Sequence, residues 1–593
     1  PRLMAYYLTT LFVYAAVDAI ACLALSQQFG VSGVTNFGFI IFQAAGAYAA
    51  AVLSLPSDSA YGGFQTYIGG YSLPFPLPWI GAAIVGGLIA VPFSALVGKR
   101  LRGDFAAVGL LVSAVMVNLL VTNYRPLLNG DAGLALVPSP LGSHFNPLGS
   151  TYQWGYSAVA IVLAFVVYRF VNRVTESPYG RTLRAMREDD VVADSLGKNV
   201  RSLRTSMLVL GGAIAGLSGG MLVGFINLWD PAAWGYAESI VLFAAVIIGG
   251  LGNHRGAVLG AVIVPVGFLE ASRYLPEVGR PGLVPALQWV VVGVAIVGFL
   301  WFRPQGVIPE PRRRIAAPAG TGQGSPPRAA APAPRPLAAA NAVIALEARD
   351  VGRSFDGVRA VDGVSVAFAR GRLTGLIGPN GAGKSTLLAM LAGTLAPTDG
   401  SILLDGEDIT RTPAFRRARS GVVRTFQLAS EFKRLTVVEN LLSAVPDQRG
   451  DSLRGALLGR RFWASDERAA VARAYAMLDR FGLTAHADTY AGDLSGGQRR
   501  LVEIMRALMA EPRVLLLDEP MAGVHPELAH RIGTILLELC AEGITIVMVE
   551  HELAIMDEFA DPVVVMAEGR ILAQGTMTEL RAQEDVVEAY LVG

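Results

Sequence analysis

The stretch GPNGAGKST at 378–386 has the spacing G-x-x-x-x-G-K-[ST], which binds nucleotide phosphates when a strand precedes it and a helix follows. Both flanks comply: LTGLIG at 373–378 reads as a strand and LLAMLAG at 387–393 as a helix. Gly381 and Gly383 let backbone N–H groups approach phosphate oxygens with no Cβ in the way, and the helix start adds its dipole. Lys384 would reach the β- and γ-phosphates and Ser385 would ligate Mg²⁺. The predicted nucleotide cradle is Gly378, Asn380, Gly381, Gly383, Lys384, Ser385 and Thr386. Further on, VLLLDEP at 514–520 reads as a strand buried on both faces and ending in two carboxylates. Asp518 would hold Mg²⁺ through water, and Glu519 would orient or polarise an attacking water. A second such strand, ITIVMVE at 544–550, ends at His551, placed to sense a γ-phosphate. That makes ATP the expected nucleotide, Mg²⁺ its ion, and Lys384, Glu519 and His551 the expected catalytic set.

A second glycine-rich helix start, LSGGQRR at 494–500, offers Ser495, Gly496, Gly497 and Gln498 to a phosphate. One domain does not need two such starts for one nucleotide. Two domains facing head to tail would use both, each closing its second loop over the partner's nucleotide.

The elements that carry these groups fill less than half of the chain. At 593 residues more than one core is expected. Residues 3–302 are a series of apolar runs, whereas the sequence from Val343 onward has the charged mixture of a soluble domain. The mean hydropathy of +0.46 averages two different materials. A net charge of +1 gives no global pull toward nucleic acid, and no such partner is expected. Cys22 and Cys540 have no metal-site spacing and are expected to be reduced thiols.

Apolar runs lie near 5–25, 37–55, 79–97, 105–123, 156–171, 206–226 and 284–302. Two shorter ones, 239–252 and 256–271, read either as two spans or as a re-entrant hairpin. The basic residues cluster in alternate connections: Lys99, Arg100 and Arg102 in one, seven more between Arg173 and Arg204, and Arg303 with Arg312 to Arg314 after the last run. The connections at 56–77 and 227–238 have no basic residue, and the one at 124–154 has only Arg125. By the positive-inside rule the N-terminus is outside and the nucleotide-binding half is cytoplasmic. Asp18, midway along the first run, must face the bundle interior or water, for transport or for a structural hydrogen bond. The sequence thus predicts a polytopic α-helical membrane domain over 1–310 and an α/β P-loop ATPase domain over 345–593. Between them, 311–344 is a Pro/Ala-rich linker that cannot assemble a core.

The connection SPYGRTLRAMREDDVVADSLGKNVRSLR at 177–204 is too polar to span, yet carries apolar residues at helical spacing. It reads as a coupling helix that docks on the ATPase, through Arg184, Glu188, Asp189, Leu196 and Gly197. With GVSGVTNFGFIIFQAAGAYAAAVL at 30–53, ESIVLFAAVIIGGLGNHRGAVLGA at 238–261 and FRPQGVIPE at 302–310, it resembles the permease of branched-chain amino acid ABC importers. The resemblance departs at Phe39, where many such permeases have His, which implies a shifted substrate preference if that position lines the pathway.

The ATPase half resembles the ABC family through the order GPNGAGKST, Gln427, LSGGQ, DEP, His551. It is similar to the branched-chain amino acid importer ATPase through RTFQ, LTVVENLL, DEPMAGVHPE and VVEAYLVG. The resemblance implies that Gln427 contacts Mg²⁺ and reports to the permease, and that Phe355 stacks on adenine. His525 departs from the Asn or Asp expected after DEP, which bears on communication across an ATPase dimer. Together the two halves imply an ATP-driven importer of branched-chain or other hydrophobic amino acids in a bacterial cytoplasmic membrane. Urea or short amides are the alternative cargo, and an exporter is the more distant reading. The implied partners are a second ATPase subunit, a second permease subunit in a heteromer, and an extracytoplasmic substrate-binding protein.

Overall fold

Every apolar run of the first 302 residues is helical in the computed structural model, which describes residues 2–57, 64–98, 103–272, 283–317, 343–355, 357–426 and 430–591. Lys99, Arg100, Arg102, Gln427 and most of the linker lie outside the described residues. Six of the described helices are long and apolar enough to cross a membrane: Met4–Val31, Leu77–Ser94, Gly103–Asn123, Ser150–Glu176, Val200–Ile226 and His254–Ser272. Shorter apolar helices cover Ile40–Ser54, Tyr236–Gly249 and Ala286–Phe302. The runs at 239–252 and 256–271 are therefore two helices, joined by a turn at 250–253. The chain divides into two compact units, residues 1–187 with 201–312, and residues 188–200 with 313–593.

In the first unit, glycines set how closely the helices pack. A Cβ on Gly216 would stand 2.3 Å from the Ala82 carbonyl, and one on Gly219 would stand 2.0 Å from that of Gln43. Small residues on Val200–Ile226 thus let the helices Ile40–Ser54 and Leu77–Ser94 approach backbone to backbone. The same device closes the helical hairpin at 236–272, where a Cβ on Gly260 would stand 1.8 Å from the Ala245 carbonyl. Phe39 is fully buried, edge-to-face with Phe42, and so belongs to the core of this unit. Asp18 is half-buried.

In the second unit the strands are β1 (Ile344–Phe355), β2 (Val358–Ala369), β3 (Leu373–Ile377), β4 (Asp399–Leu404), β5 (Glu407–Asp408), β6 (Val422–Arg424), β7 (Val514–Asp518), β8 (Thr545–Val549), β9 (Val563–Ala567) and β10 (Arg570–Gly575). They form an antiparallel sheet in the order β2-β1-β4-β5 and a mostly parallel one in the order β10-β9-β3-β8-β7-β6. Strands β3, β7 and β8 are buried at every residue, as a parallel sheet covered on both faces requires. Val549 pairs with Leu376 on one side and Asp518 on the other, so the C-terminal ends of the three strands lie side by side. Ligands of such sheets bind beyond the carboxyl ends of the strands.

Candidate functional site

Three strand ends converge on one loop. Beyond β3, Gly378 and Gly381 take φ values of +153° and +83°. A Cβ on Gly381 would meet nothing within 4 Å, so that stretch of backbone is open to an incoming group. Gly383 has φ +94°, and a Cβ there would stand 2.3 Å from the Ala360 carbonyl, so the start of helix Lys384–Ala392 requires glycine. The Lys384 ammonium donates to the Gly378 and Pro379 carbonyls at 2.8 and 2.9 Å and so curls over the loop. Burial pushes its pKa down, against the opposing charges of Glu519 and Asp518. Asn380 is exposed on the same loop, and in the first turn of the helix Ser385 is exposed and Thr386 half-buried.

From β7, the buried Asp518 accepts from the Ser385 hydroxyl at 3.4 Å and from Arg424 at 2.9 Å. A hydroxyl and a carboxylate converging at the mouth of a phosphate-type loop are hard oxygen donors of the kind Mg²⁺ takes, so the residues present fit that ion. Glu519 follows at φ +51°, a left-handed conformation uncommon outside glycine. Its N–H donates to the Val549 carbonyl at 2.9 Å, and its own carbonyl accepts from Arg500. Held there, the Glu519 carboxylate meets His551 Nε2 at 3.0 Å. Glu550, at the end of β8, is buried and accepts from the Met521 N–H at 2.6 Å. Burial raises its pKa to about 7, with the nearby Glu519 charge adding to the effect.

The second glycine-rich loop is built differently. Ser495 caps helix Gly496–Met509 in a reciprocal box with Gln498, through bonds of 3.0 and 3.4 Å. Gln498 also meets His486 at 3.2 Å. A Cβ on Gly496 would find open space, and one on Gly497 would approach Leu528 at 2.9 Å. The Ser495 and Gln498 side chains thus each accept from the other's backbone N–H. Phe355, at the end of β1, is 42% exposed, with Arg353 over one face at 5.0 Å. Its ring is therefore a surface platform and not part of the core.

Residues 188–200 belong to this unit. Asp189 caps the short helix Asp190–Ser195 by accepting from the Val191 and Val192 N–H groups at 3.0 and 2.9 Å. Leu196 is buried, and Gly197 turns the chain at φ +84°. The Gly197 carbonyl accepts from Arg419 at 2.9 Å. Lys198 donates to the Val445 carbonyl at 2.8 Å and pairs with Asp451. Glu188 lies 3.9 Å from Arg434. Arg184 is buried in the first unit.

Residues 7–300 match the family model of the branched-chain amino acid transport system permease component, and residues 361–522 match that of the ABC transporter. LivG of Archaeoglobus fulgidus, a probable branched-chain amino acid transport ATP-binding protein, is 37% identical over 246 residues, which is 42% of this chain and 95% of that one. The chain belongs to the branched-chain amino acid family of ABC transporters. BraF of Pseudomonas aeruginosa, a high-affinity branched-chain amino acid transport ATP-binding protein, is 38% identical over 42% of this chain and 97% of its own length. A nucleotide-free ATP-binding cassette from an ABC transporter, known from its crystal structure, is 38% identical over 42% of this chain and 98% of its own, with a TM-score of 0.37.

This ABC transporter thus carries its permease and its ATP-binding cassette in one chain, and the cassette brings ATP binding and hydrolysis with it. Three charged residues of the site went unassigned in the sequence. Arg424 holds Asp518, and the buried Arg500 donates to the Pro520 and Phe426 carbonyls at 3.1 and 2.8 Å. Glu503 accepts from the Phe426 N–H at 2.8 Å and pairs with Arg500 at 2.6 Å. Together they tie the strand leading to position 427 to the loop after β7. Nothing in VVRTFQ or LSGGQRRLVE marks these charges apart from a solvated face.

Proposed function

We propose that this transporter is an ATP-driven importer subunit moving branched-chain or other hydrophobic amino acids inward across a bacterial cytoplasmic membrane. The observation that carries the reading is the convergence of Lys384, Asp518, Glu519 and His551 on one phosphate-type loop, in a chain whose other half is a permease. In this reading the N–H groups of the loop and Lys384 hold the ATP phosphates, and Asn380 and Thr386 complete the cradle. Ser385 and Asp518, with Gln427, are the ligands for Mg²⁺, which would neutralise phosphate charge as the terminal bond breaks. Glu519 takes the proton side of water attack while His551 keeps its carboxylate oriented. Phe355 receives the adenine.

Ser495, Gly496, Gly497 and Gln498 close over a partner's ATP, so a second ATPase domain and a second permease complete the machine. The pairing of two normally separate components in one chain favours a heteromer. Glu188, Asp189, Leu196 and Gly197 pass the closure of the cassettes toward the permease, with Arg184 at the base of that segment. An extracytoplasmic binding protein delivers the substrate to the opposite face. The amino acid cargo is supported by the branched-chain amino acid transport named for LivG and BraF.

ATPase activity of the complex in lipid nanodiscs, measured with its binding protein against a panel of amino acids and urea, tests the reading. Stimulation by leucine, isoleucine or valine that vanishes in Glu519→Gln is expected. Stimulation by urea alone would keep the importer and replace its cargo. Activity indifferent to every substrate and to the binding protein would overturn the coupled importer.

A further inference from the structure

Helix Pro178–Glu188 closes with Arg187, after which the chain passes into residues 188–200 of the second unit. The Arg187 guanidinium donates through one nitrogen to the Gly30 carbonyl, in the π-helical turn Ser26–Val31 that ends the first membrane helix. Through another it donates to Glu310 at 2.9 Å, in the segment after the last membrane helix. The turn of the 236–272 hairpin lies against the same pair. A Cβ on Gly252 would stand 3.0 Å from the Glu310 carboxylate and 3.1 Å from the guanidinium. One on Gly30 would stand 2.6 Å from the Gly252 nitrogen, and one on Gly33 would stand 2.9 Å from Arg187 Cγ. The segment carrying Glu310 is itself bonded to the hairpin. Val307 and Ile308 donate to the Ile248 and Gly249 carbonyls at 2.8 and 3.0 Å, and Asn253 donates to the Pro309 carbonyl at 2.7 Å.

One side chain therefore bonds the end of the first helix and the Glu310 carboxylate beyond the last helix, with the turn of the hairpin packed against both. Glycines stand at the points of closest approach, where a Cβ would collide with the neighbouring backbone or side chain. The Arg187 and Glu310 side chains are only 13% and 23% exposed, so their attraction is screened less than a surface pair's. The two acceptors need the forked guanidinium, because lysine carries the charge without the fork.

We propose that Arg187, held by Glu310, is the positioning residue that makes the first membrane helix, the hairpin and the last helix move together when residues 188–200 are displaced. This rests on the reading of the chain as a two-state, ATP-driven transporter. Coupling between distant sites requires an element with two arrangements that both sites bias, and in the proposed cycle residues 188–200 are that element, with the clamp at their start.

The test uses the full chain with its copurifying subunits in nanodiscs and a thiol reporter, Ser143→Cys, placed beyond the other end of helix Ser150–Glu176. The native Cys22 and Cys540 are both buried and leave the reporter as the accessible thiol. Maleimide labelling is timed with and without ATP and vanadate, alongside the amount of trapped nucleotide. In the parent chain the labelling rate is expected to change on trapping. In Arg187→Ala and in the near-isosteric Glu310→Gln that response is expected to fall about fivefold or more, with nucleotide trapping and basal ATPase retained. Arg187→Lys should give an intermediate response, and the exchanged pair Arg187→Glu with Glu310→Arg should recover part of it. A parent-like response in Glu310→Gln or Arg187→Ala would overturn the proposal. A parent chain that traps nucleotide without any change in labelling would instead overturn the two-state transporter, and this inference with it.

Discussion

Helix Lys384–Ala392 and helix Gly496–Met509 both start from a glycine-rich loop, yet their surroundings differ in kind. Around the first, separate strands of the same unit deliver a lysine, two carboxylates and a histidine, and Lys384 spends its protons on loop carbonyls that a phosphate could replace. Around the second, Ser495 and Gln498 satisfy one another, and Gly496 faces open space. The first loop has its reagents within reach. The second is a rigid, pre-formed helix start with nothing of its own to act on, which is what a surface used by another molecule requires. In the proposed reading one chain holds one set of reagents and one lid, and the lid serves a partner's site.

Changes at the two loops should separate accordingly. Glu519→Gln is expected to lower kcat for ATP hydrolysis by about 10²–10⁴-fold while leaving equilibrium ATP binding intact. Ser495→Arg, which fills the open loop with a charged side chain, should lower hydrolysis by about 10²-fold or more. Its ATP binding, followed with a fluorescent nucleotide analogue under conditions that keep the cassettes apart, should stay at the parent value. A loss of binding as deep as that of Lys384→Ala would erase the distinction between the loops. Phe355→Ala should raise KM for ATP about fivefold, the equivalent of about 1 kcal/mol of lost stacking, with kcat little changed.

The smallest effect concerns Glu550, beside the first loop. Its carboxyl is raised from 4.5 to about 7 by burial, so the folded chain binds this proton more tightly than the unfolded chain does. Its contribution to stability is complete below about pH 4.5 and is lost as the pH rises to about 7. Unfolding midpoints followed across that range should show a shallower fall in Glu550→Gln than in the parent chain. Parallel profiles would show that the carboxyl ionises normally.

The legible parts of the site share one physical reason. A parallel sheet buried on both faces must be written as unbroken apolar runs, and its ligands gather where those runs stop. Hence Gly378, Asp518, Glu519 and His551 could be found one strand at a time. Arg424, Arg500 and Glu503 could not, because they meet Asp518 or Phe426 across 74 to 94 positions and only the fold makes them neighbours. Arg187 and Glu310, 123 positions apart, are a deeper case of the same limit. The membrane helices were equally plain by hydropathy, but hydropathy did not say which of them line the core. Gly103–Asn123 and Val200–Ile226 are both strongly apolar, yet the first is mostly exposed and the second mostly buried. Lipid and protein interior are both apolar, so the information lies instead in small residues such as Gly212, Gly216 and Gly219. Phe39, weighed in the sequence as a possible lining residue, packs in the core beside Phe42. His525 stands at the N-cap of helix Pro526–Ala541 and makes no side-chain cap bond, where Asn or Asp would cap it well.

The central claim, inward movement of a hydrophobic amino acid at the expense of ATP, is tested most directly by uptake of radiolabelled leucine. The complex would be reconstituted in liposomes loaded with ATP and Mg²⁺, with the binding protein outside. Accumulation against the gradient that disappears in Glu519→Gln is the expected result. Leucine entry that is equal with and without ATP, or ATP-dependent loss of leucine from preloaded vesicles, would contradict it.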